Sequence, residues 1–255
     1  MILLDSEKIK TMLEKKIQHP YLQQHIEQPF IDQDKIAILL AIFDEVRLTT
    51  QEKHDYIMSI LLVQIALDTH DLVSNKTVSS SDELERQLRV LAGDFYSGLY
   101  YKTLADIGER HLVRVLANAI KLINEEKMVL YEYEINDWQQ LMQSLQTIES
   151  ALMLNVGELY QLSSIHKQYI NEYLLVNRLV KELSAIHNNE FSYVKQYVDR
   201  NLVTLYEASI AFTLESEIEQ GRQRMSNLAN DSRFSFQALN NIMFDKQVLS
   251  AVEEG

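Results

Sequence analysis

Three side chains able to ligate a metal crowd the stretch "IALDTHDLVSN", residues 65–75: Asp68, His70 and Asp71. Residues three apart share a helix face, with Cβ atoms roughly 5–6 Å apart. Magnesium takes oxygen ligands, commonly one or two carboxylates plus substrate phosphates. Asp68 and Asp71 therefore either hold a cation for phosphate chemistry or solvate a helix end before the serine-rich loop that follows. Other reaction types lack their residues. There is no His-Glu-x-x-His, no Glu-x-x-His pair, no Gly-x-Ser-x-Gly and no glycine-rich phosphate loop. His111, His166 and His187 stand alone and read as surface or partner-bonded histidines.

A second stretch, "LAGDFYSGLYY" at residues 91–101, places Gly93 and Gly98 inside a strong helical pattern. Each glycine costs about 1 kcal/mol relative to alanine in a helix interior. Close approach of a second helix is the usual compensation, either within the chain or across a subunit contact. Tyr96, Tyr100 and Tyr101 add large surfaces with polar tips, which suit an interface.

The elements that must position these residues are helices. Of 255 residues only 6 are Gly and 2 are Pro, and both prolines, Pro20 and Pro29, lie near the N-terminus. Hydrophobic residues make up 46%, enough for a substantial core. The net charge of -13 repels nucleic-acid phosphates, so no nucleic-acid partner is expected. With no cysteine, disulfides, cysteine–zinc sites and thiol catalysis are excluded. The N-terminus "MILLDSEKIK" is too short in apolar residues for a signal peptide, and no apolar run approaches the ~20 residues of a transmembrane span. The expectation is a cytoplasmic, all-α protein.

A first helix is predicted over residues 6–18, then a polar linker to about 33. Asp34 can cap "KIAILLAIFDEV", and Thr49 or Thr50 can cap the next helix, with Glu52 in its first turn. That helix ends in the Asp68–Asp71 cluster. "SNKTVSSSDELE" breaks the chain, with Ser81 and Asp82 as caps. Helices then run from Glu83 to about Gly108 and from Arg110 to about Tyr133. Two or three long helices fill 137 to about 224, broken near "HNNEF" and loosened by Gly221, and a short helix over "FQALNNIMFDKQVLSAV" closes the chain. With no repeat, one domain over 1–255 is expected, its core starting at about 34.

The stretch Leu88 to Ala105, "LRVLAGDFYSGLYYKTLA", closely resembles the small, non-catalytic component of bacterial two-component heptaprenyl diphosphate synthases. It is also similar to the "LAGD" helix of trans-prenyltransferases generally. In catalytic members an apolar helix leads into an Asp-Asp-x-x-Asp motif, then an Arg-Arg pair, then that helix. Here "MSILLVQIALDTHDLV" stands first and Gly93 falls 22 residues after Asp71. Leu67 then occupies the first aspartate position, Asp68 the second and Asp71 the last. The arginine pair is absent, and "LVSNKTVSSS" offers only Lys76. "FIDQDK" replaces the Gly-Gly-Lys-Arg segment that binds isopentenyl diphosphate, and "NEEKMVLYE" carries Glu125 or Glu126 in place of a glycine. "EYLLVNRLVKE" puts Asn177, Arg178 and Lys181 at the positions of the second aspartate motif.

The resemblance implies an isoprenoid-synthase helical bundle, truncated on its C-terminal side, with no catalytic residue, cofactor or metal in this chain. It implies a heterodimer with a catalytic subunit that carries two aspartate-rich motifs and Mg2+ and handles isopentenyl and farnesyl diphosphate. Such an enzyme supplies the menaquinone side chain, and this chain would stabilise the catalytic subunit and complete its product tunnel. The interface is expected on the "LAGD" helix, at Leu91, Gly93, Asp94, Tyr96, Gly98, Tyr100 and Tyr101. The alternative readings are a helical scaffold and a stand-alone enzyme using Asp68, His70 and Asp71. One such enzyme is a metal-dependent helical phosphohydrolase, whose His-Asp pair is similar to His70-Asp71, with His54 upstream.

Overall fold

The computed structural model describes residues 2–73, 80–200, 207–236 and 239–240. Ten helices are defined among them, and no strand. In order they are α1 (Ile2–Ile17), α2 (Leu22–His25), α3 (Gln33–Asp44), α4 (Thr50–Asp71), α5 (Ser80–Ile107), α6 (Arg110–Glu132), α7 (Trp138–Leu159), α8 (Ser164–His187), α9 (Tyr193–Arg200) and α10 (Glu207–Ala229). The all-helical expectation holds. Among the described residues no helix is long and apolar enough to cross a membrane.

Two compact units are present, residues 1–117 with 238–255, and residues 118–237. In the first, α4 packs along α5, and α1 packs on α3. Helix α4 is buried almost without interruption from Tyr56 to Leu67, which makes it the centre of its unit. Its start is fixed by a capping box. The Thr49 hydroxyl accepts from the Glu52 backbone N–H at 3.2 Å, and the Glu52 carboxylate accepts from the Thr49 N–H at 2.8 Å. Helix α3 is capped by Asp32 rather than Asp34. The Asp32 Oδ1 accepts from the N–H groups of Asp34 and Lys35, so Asp34 falls in the first turn.

In the second unit α8 lies against both α7 and α10. Gly221 does not loosen α10. It sits inside the helix, where a Cβ would collide with Val176 of α8, so it permits close approach. The break in "HNNEF" appears as the end of α8 at His187, with Asn189 left-handed at φ 55°. Helices α5 and α6 end in the same way, with left-handed Gly108 (φ 77°) and Tyr133 (φ 62°) and bonds from Glu109 N–H to Leu104 O and Glu134 N–H to Val129 O. Ser81 and Asp82, expected as caps, fall inside the first turn of α5, whereas Lys76 and most of the closing helix lie outside the described residues.

Candidate functional site

The cluster of Asp68, His70 and Asp71 occupies the last turn of α4. Leu67 is buried, at 8% exposure, and stands where a metal-binding carboxylate would have to reach solvent. Asp68 is half-buried, and its Oδ1 accepts from the Gln64 side-chain amide at 2.7 Å, one turn back. Asp71 is exposed at the helix end. The negative end of the helix dipole disfavours further carboxylates there. Among the described residues no three His, Asp or Glu side chains are arranged to hold a metal ion. A magnesium–diphosphate centre needs converging oxygen donors and neighbouring cations. This donor set does not fit one.

His70 faces α5 rather than a ligand site. Its ring lies 2.5 Å, at Cε1 and Nε2, from where a Cβ on Gly93 would sit. Its Nε2 is 3.8 Å from the Asp94 carboxylate. Gly93 therefore makes room for a side chain of its own chain. This pairing was not read from the sequence. The signal available was the cost of a glycine inside a strong helix beside a histidine-bearing partner helix.

The other residues of α5 divide between two faces. Tyr96 and Tyr100 are buried, at 2% and 4% exposure. Burial raises both hydroxyls above the ordinary tyrosine pKa, further for Tyr100, where a hydrogen bond with Tyr101 adds to it. Leu91, Asp94, Gly98 and Tyr101 face outward, Leu91 at 59% and Tyr101 at 50% exposure. Nothing lies within 4 Å of the position of a Cβ on Gly98. The spacing of these four follows one stripe of the helix.

Where an isopentenyl diphosphate segment would lie, "FIDQDK" gives a cleft of about 390 Å³ lined by Lys10, Glu14, Asp32 and Asp34 among others. Three carboxylates against one ammonium repel a diphosphate. Glu126 in "NEEKMVLYE" accepts from the Ser144 hydroxyl at 2.7 Å, and Glu125 lies 3.6 Å from Lys121.

At the positions of a second aspartate motif, Lys181 is exposed, Asn177 is half-buried and Arg178 is drawn inward. The Arg178 guanidinium donates to Glu149 at 3.0 Å and to Glu182 at 2.6 Å. Glu182 in turn accepts from the Ser192 hydroxyl at 2.6 Å and the Val194 N–H at 3.3 Å. Burial works against the Arg178 charge, but the two carboxylates outweigh it and hold its pKa above the ordinary value. A tethered cation thus sits among carboxylates. Glu149 was not anticipated, because it lies 29 residues from Arg178 in sequence.

The isolated histidines divide as well, with His111 and His187 exposed at the surface. His54 is buried in α4. His166 is buried, stacked on Phe236 with ring centroids 3.9 Å apart, and its Nε2 accepts from the Ser235 N–H at 3.0 Å.

The family model described as heptaprenyl diphosphate synthase (HEPPP synthase) subunit 1 matches residues 19–229. A protein named heptaprenyl diphosphate synthase component 1, from Geobacillus stearothermophilus, is 43% identical over 129 residues. That match covers 51% of this chain and 57% of the relative, so a little over half of the relative's length is spanned. Among solved structures, octaprenyl pyrophosphate synthase from Helicobacter pylori superposes with a TM-score of 0.61 at 12% identity, covering 93% of this chain and 97% of that one. Decaprenyl diphosphate synthase from Rhodobacter capsulatus gives 0.57 at 14%, covering 95% and 86%. An isoprenoid synthase family member from Thermotoga neapolitana gives 0.56 at 14%, covering 88% and 97%. At such identities these likenesses establish the isoprenoid-synthase fold alone. With that fold in place and the family model matching most of its length, the chain belongs to the heptaprenyl diphosphate synthase subunit 1 family.

Proposed function

We propose that this chain is the non-catalytic subunit of a heterodimeric, long-chain prenyl diphosphate synthase. The observation that carries the reading is the state of the first aspartate position: Leu67 is buried there, and its neighbour Asp68 is engaged by Gln64. The catalytic partner carries both aspartate-rich motifs and Mg2+, and it binds isopentenyl and farnesyl diphosphate. This subunit stabilises the partner and completes the apolar wall that receives the growing chain, because about seven isoprene units must be shielded from water. The product is heptaprenyl diphosphate for the menaquinone side chain, made in the cytoplasm. The contact with the partner runs along the outward stripe of α5, through Leu91, Asp94, Gly98 and Tyr101, where a side-chain-free Gly98 lets a second helix come close.

The test is a condensation assay with isopentenyl diphosphate, farnesyl diphosphate and Mg2+. It is run on this chain, on the catalytic subunit, and on the mixture. Long prenyl product from the mixture alone is the expected result. Product from this chain alone would overturn the reading and favour a stand-alone enzyme built on Asp68 and Asp71.

A further inference from the structure

The second unit contains a cavity of about 240 Å³ where the end of α6, the start of α7 and α9 meet. Its apolar end is made by Leu130 and Leu141, both buried, with Ile135 from the connecting loop. The rest is aromatic and polar. Tyr193, Gln196, Tyr197 and Arg200 recur at helical spacing on one face of α9 and line the cavity, while Val194 and Val198 of the same helix are buried. Tyr133 comes from the end of α6.

Tyr133 holds a backbone conformation that side chains resist, with φ 62°. At the matching place α5 uses Gly108. The tyrosine ring is kept in the cavity nonetheless. Its hydroxyl accepts from the Gln196 side-chain amide at 2.8 Å, and its face lies beneath the Arg200 guanidinium. Arg200 makes no ion pair among the described residues, in a chain whose net charge is -13.

We propose that this cavity binds a small anion with a flat apolar body, an aromatic carboxylate, independently of the role proposed for α5. The carboxylate sits on the planar guanidinium of Arg200, which donates two parallel hydrogen bonds to its oxygens. The ring lies among the tyrosine faces, with its edge toward Leu130 and Leu141. A cationic guest of the kind that aromatic cages take is repelled by Arg200. A diphosphate, with several charges, finds one guanidinium and no second cation on the lining.

The single tryptophan, Trp138, is a built-in reporter, its ring 6.4 Å from that of Tyr197. Benzoate, benzamide and inorganic phosphate are titrated separately into the full chain. Trp138 emission and its indole N–H resonance are followed. Benzoate should give a saturable shift, benzamide should bind about tenfold more weakly or not at all, and phosphate should give none. Arg200→Gln, at an exposed site, should leave the melting temperature unchanged and weaken benzoate about tenfold. A response that never saturates overturns the proposal. So does equal binding of benzamide, displacement of benzoate by phosphate, or full affinity in Arg200→Gln.

Discussion

The imidazole of His70 lies in the space that any side chain at Gly93 would need, with Cε1 and Nε2 both 2.5 Å from the position of a Cβ. The ring tip is the mobile end of a half-exposed side chain near Asp94. An alanine can therefore displace it toward solvent and regain about 1 kcal/mol of helix propensity. Gly93→Ala should stay within about 1 kcal/mol of wild type in urea unfolding while shifting the His70 ring resonances. Gly93→Leu should cost about 1–3 kcal/mol by overpacking. In a His70→Ala background, Gly93→Ala should become stabilising. A large loss for Gly93→Ala in both backgrounds would mean that backbone contacts, not the imidazole, set the spacing of α4 and α5.

The bond from Gln64 to Asp68 makes Asp68 a structural acceptor. Asp68→Ala should lower stability by about 0.5–1.5 kcal/mol, the worth of one hydrogen bond, and leave condensation by the reconstituted mixture nearly unchanged. A loss of activity of two or more orders of magnitude, with folding intact, would restore Asp68 to the chemistry.

The helical fold was legible because the chain announces its helix ends. Thr49 and Glu52 stand at capping-box spacing, and both prolines precede Gln33, where α3 begins. The cap of α3 was misplaced by two residues. Asp32 and Asp34 are equally good acceptors, and only the extended backbone at Asp32 (φ -75°, ψ 106°) selects between them. Leu67 stands at a first aspartate position only through the sequence resemblance, and the surroundings of Arg178 could not be read even from that. Periodicity along one helix reveals Arg178 and Glu182 four apart, yet carries no information on Glu149 or on Ser192 across a turn. Gly221 was misread for the same reason, since its explanation is Val176 on another helix.

The group of Glu149, Arg178 and Glu182 binds α7 to α8 through a largely buried cation. Removing the cation leaves two carboxylates without their shared partner. Arg178→Met should destabilise the chain by about 3–5 kcal/mol, measured by thermal or urea unfolding. Glu149→Gln, which keeps a hydrogen-bond acceptor and leaves Glu182 in place, should cost clearly less. Equal losses would mean that the arginine is held by packing of its stem rather than by charge.

The fold disfavours the charged form of His54. Burial lowers its pKa below the ordinary 6.5, and the nearby Lys8 acts in the same direction. The unfolded chain therefore binds the proton more tightly. Stability contributed by neutral His54 is complete above 6.5 and falls as the pH drops from there toward the folded-state pKa. The urea midpoint should decrease between pH 7.5 and the acid side of this window, and His54→Gln should flatten that part of the profile. An unchanged slope in the variant would assign the dependence to another group.

Gly98 lies on the stripe proposed as the interface, where effects on folding and on assembly can be told apart. It sits on the exposed side of α5 with open space where a Cβ would be, so nothing within the chain requires glycine there. Gly98→Ala should stabilise the isolated chain by up to about 1 kcal/mol through helix propensity alone. Gly98→Leu should fold as well as wild type yet weaken capture of the catalytic subunit at least tenfold, because a branched side chain holds the second helix away. Tyr101→Arg, on the same stripe and half-exposed, should act in the same sense. The readouts are the melting temperature of the chain alone and co-purification with the catalytic subunit, followed by the condensation rate of the mixture. A Gly98→Leu chain that assembles and supports condensation at the wild-type rate would move the interface off this face of α5. The glycine would then be left as a cost to the helix with no compensating contact.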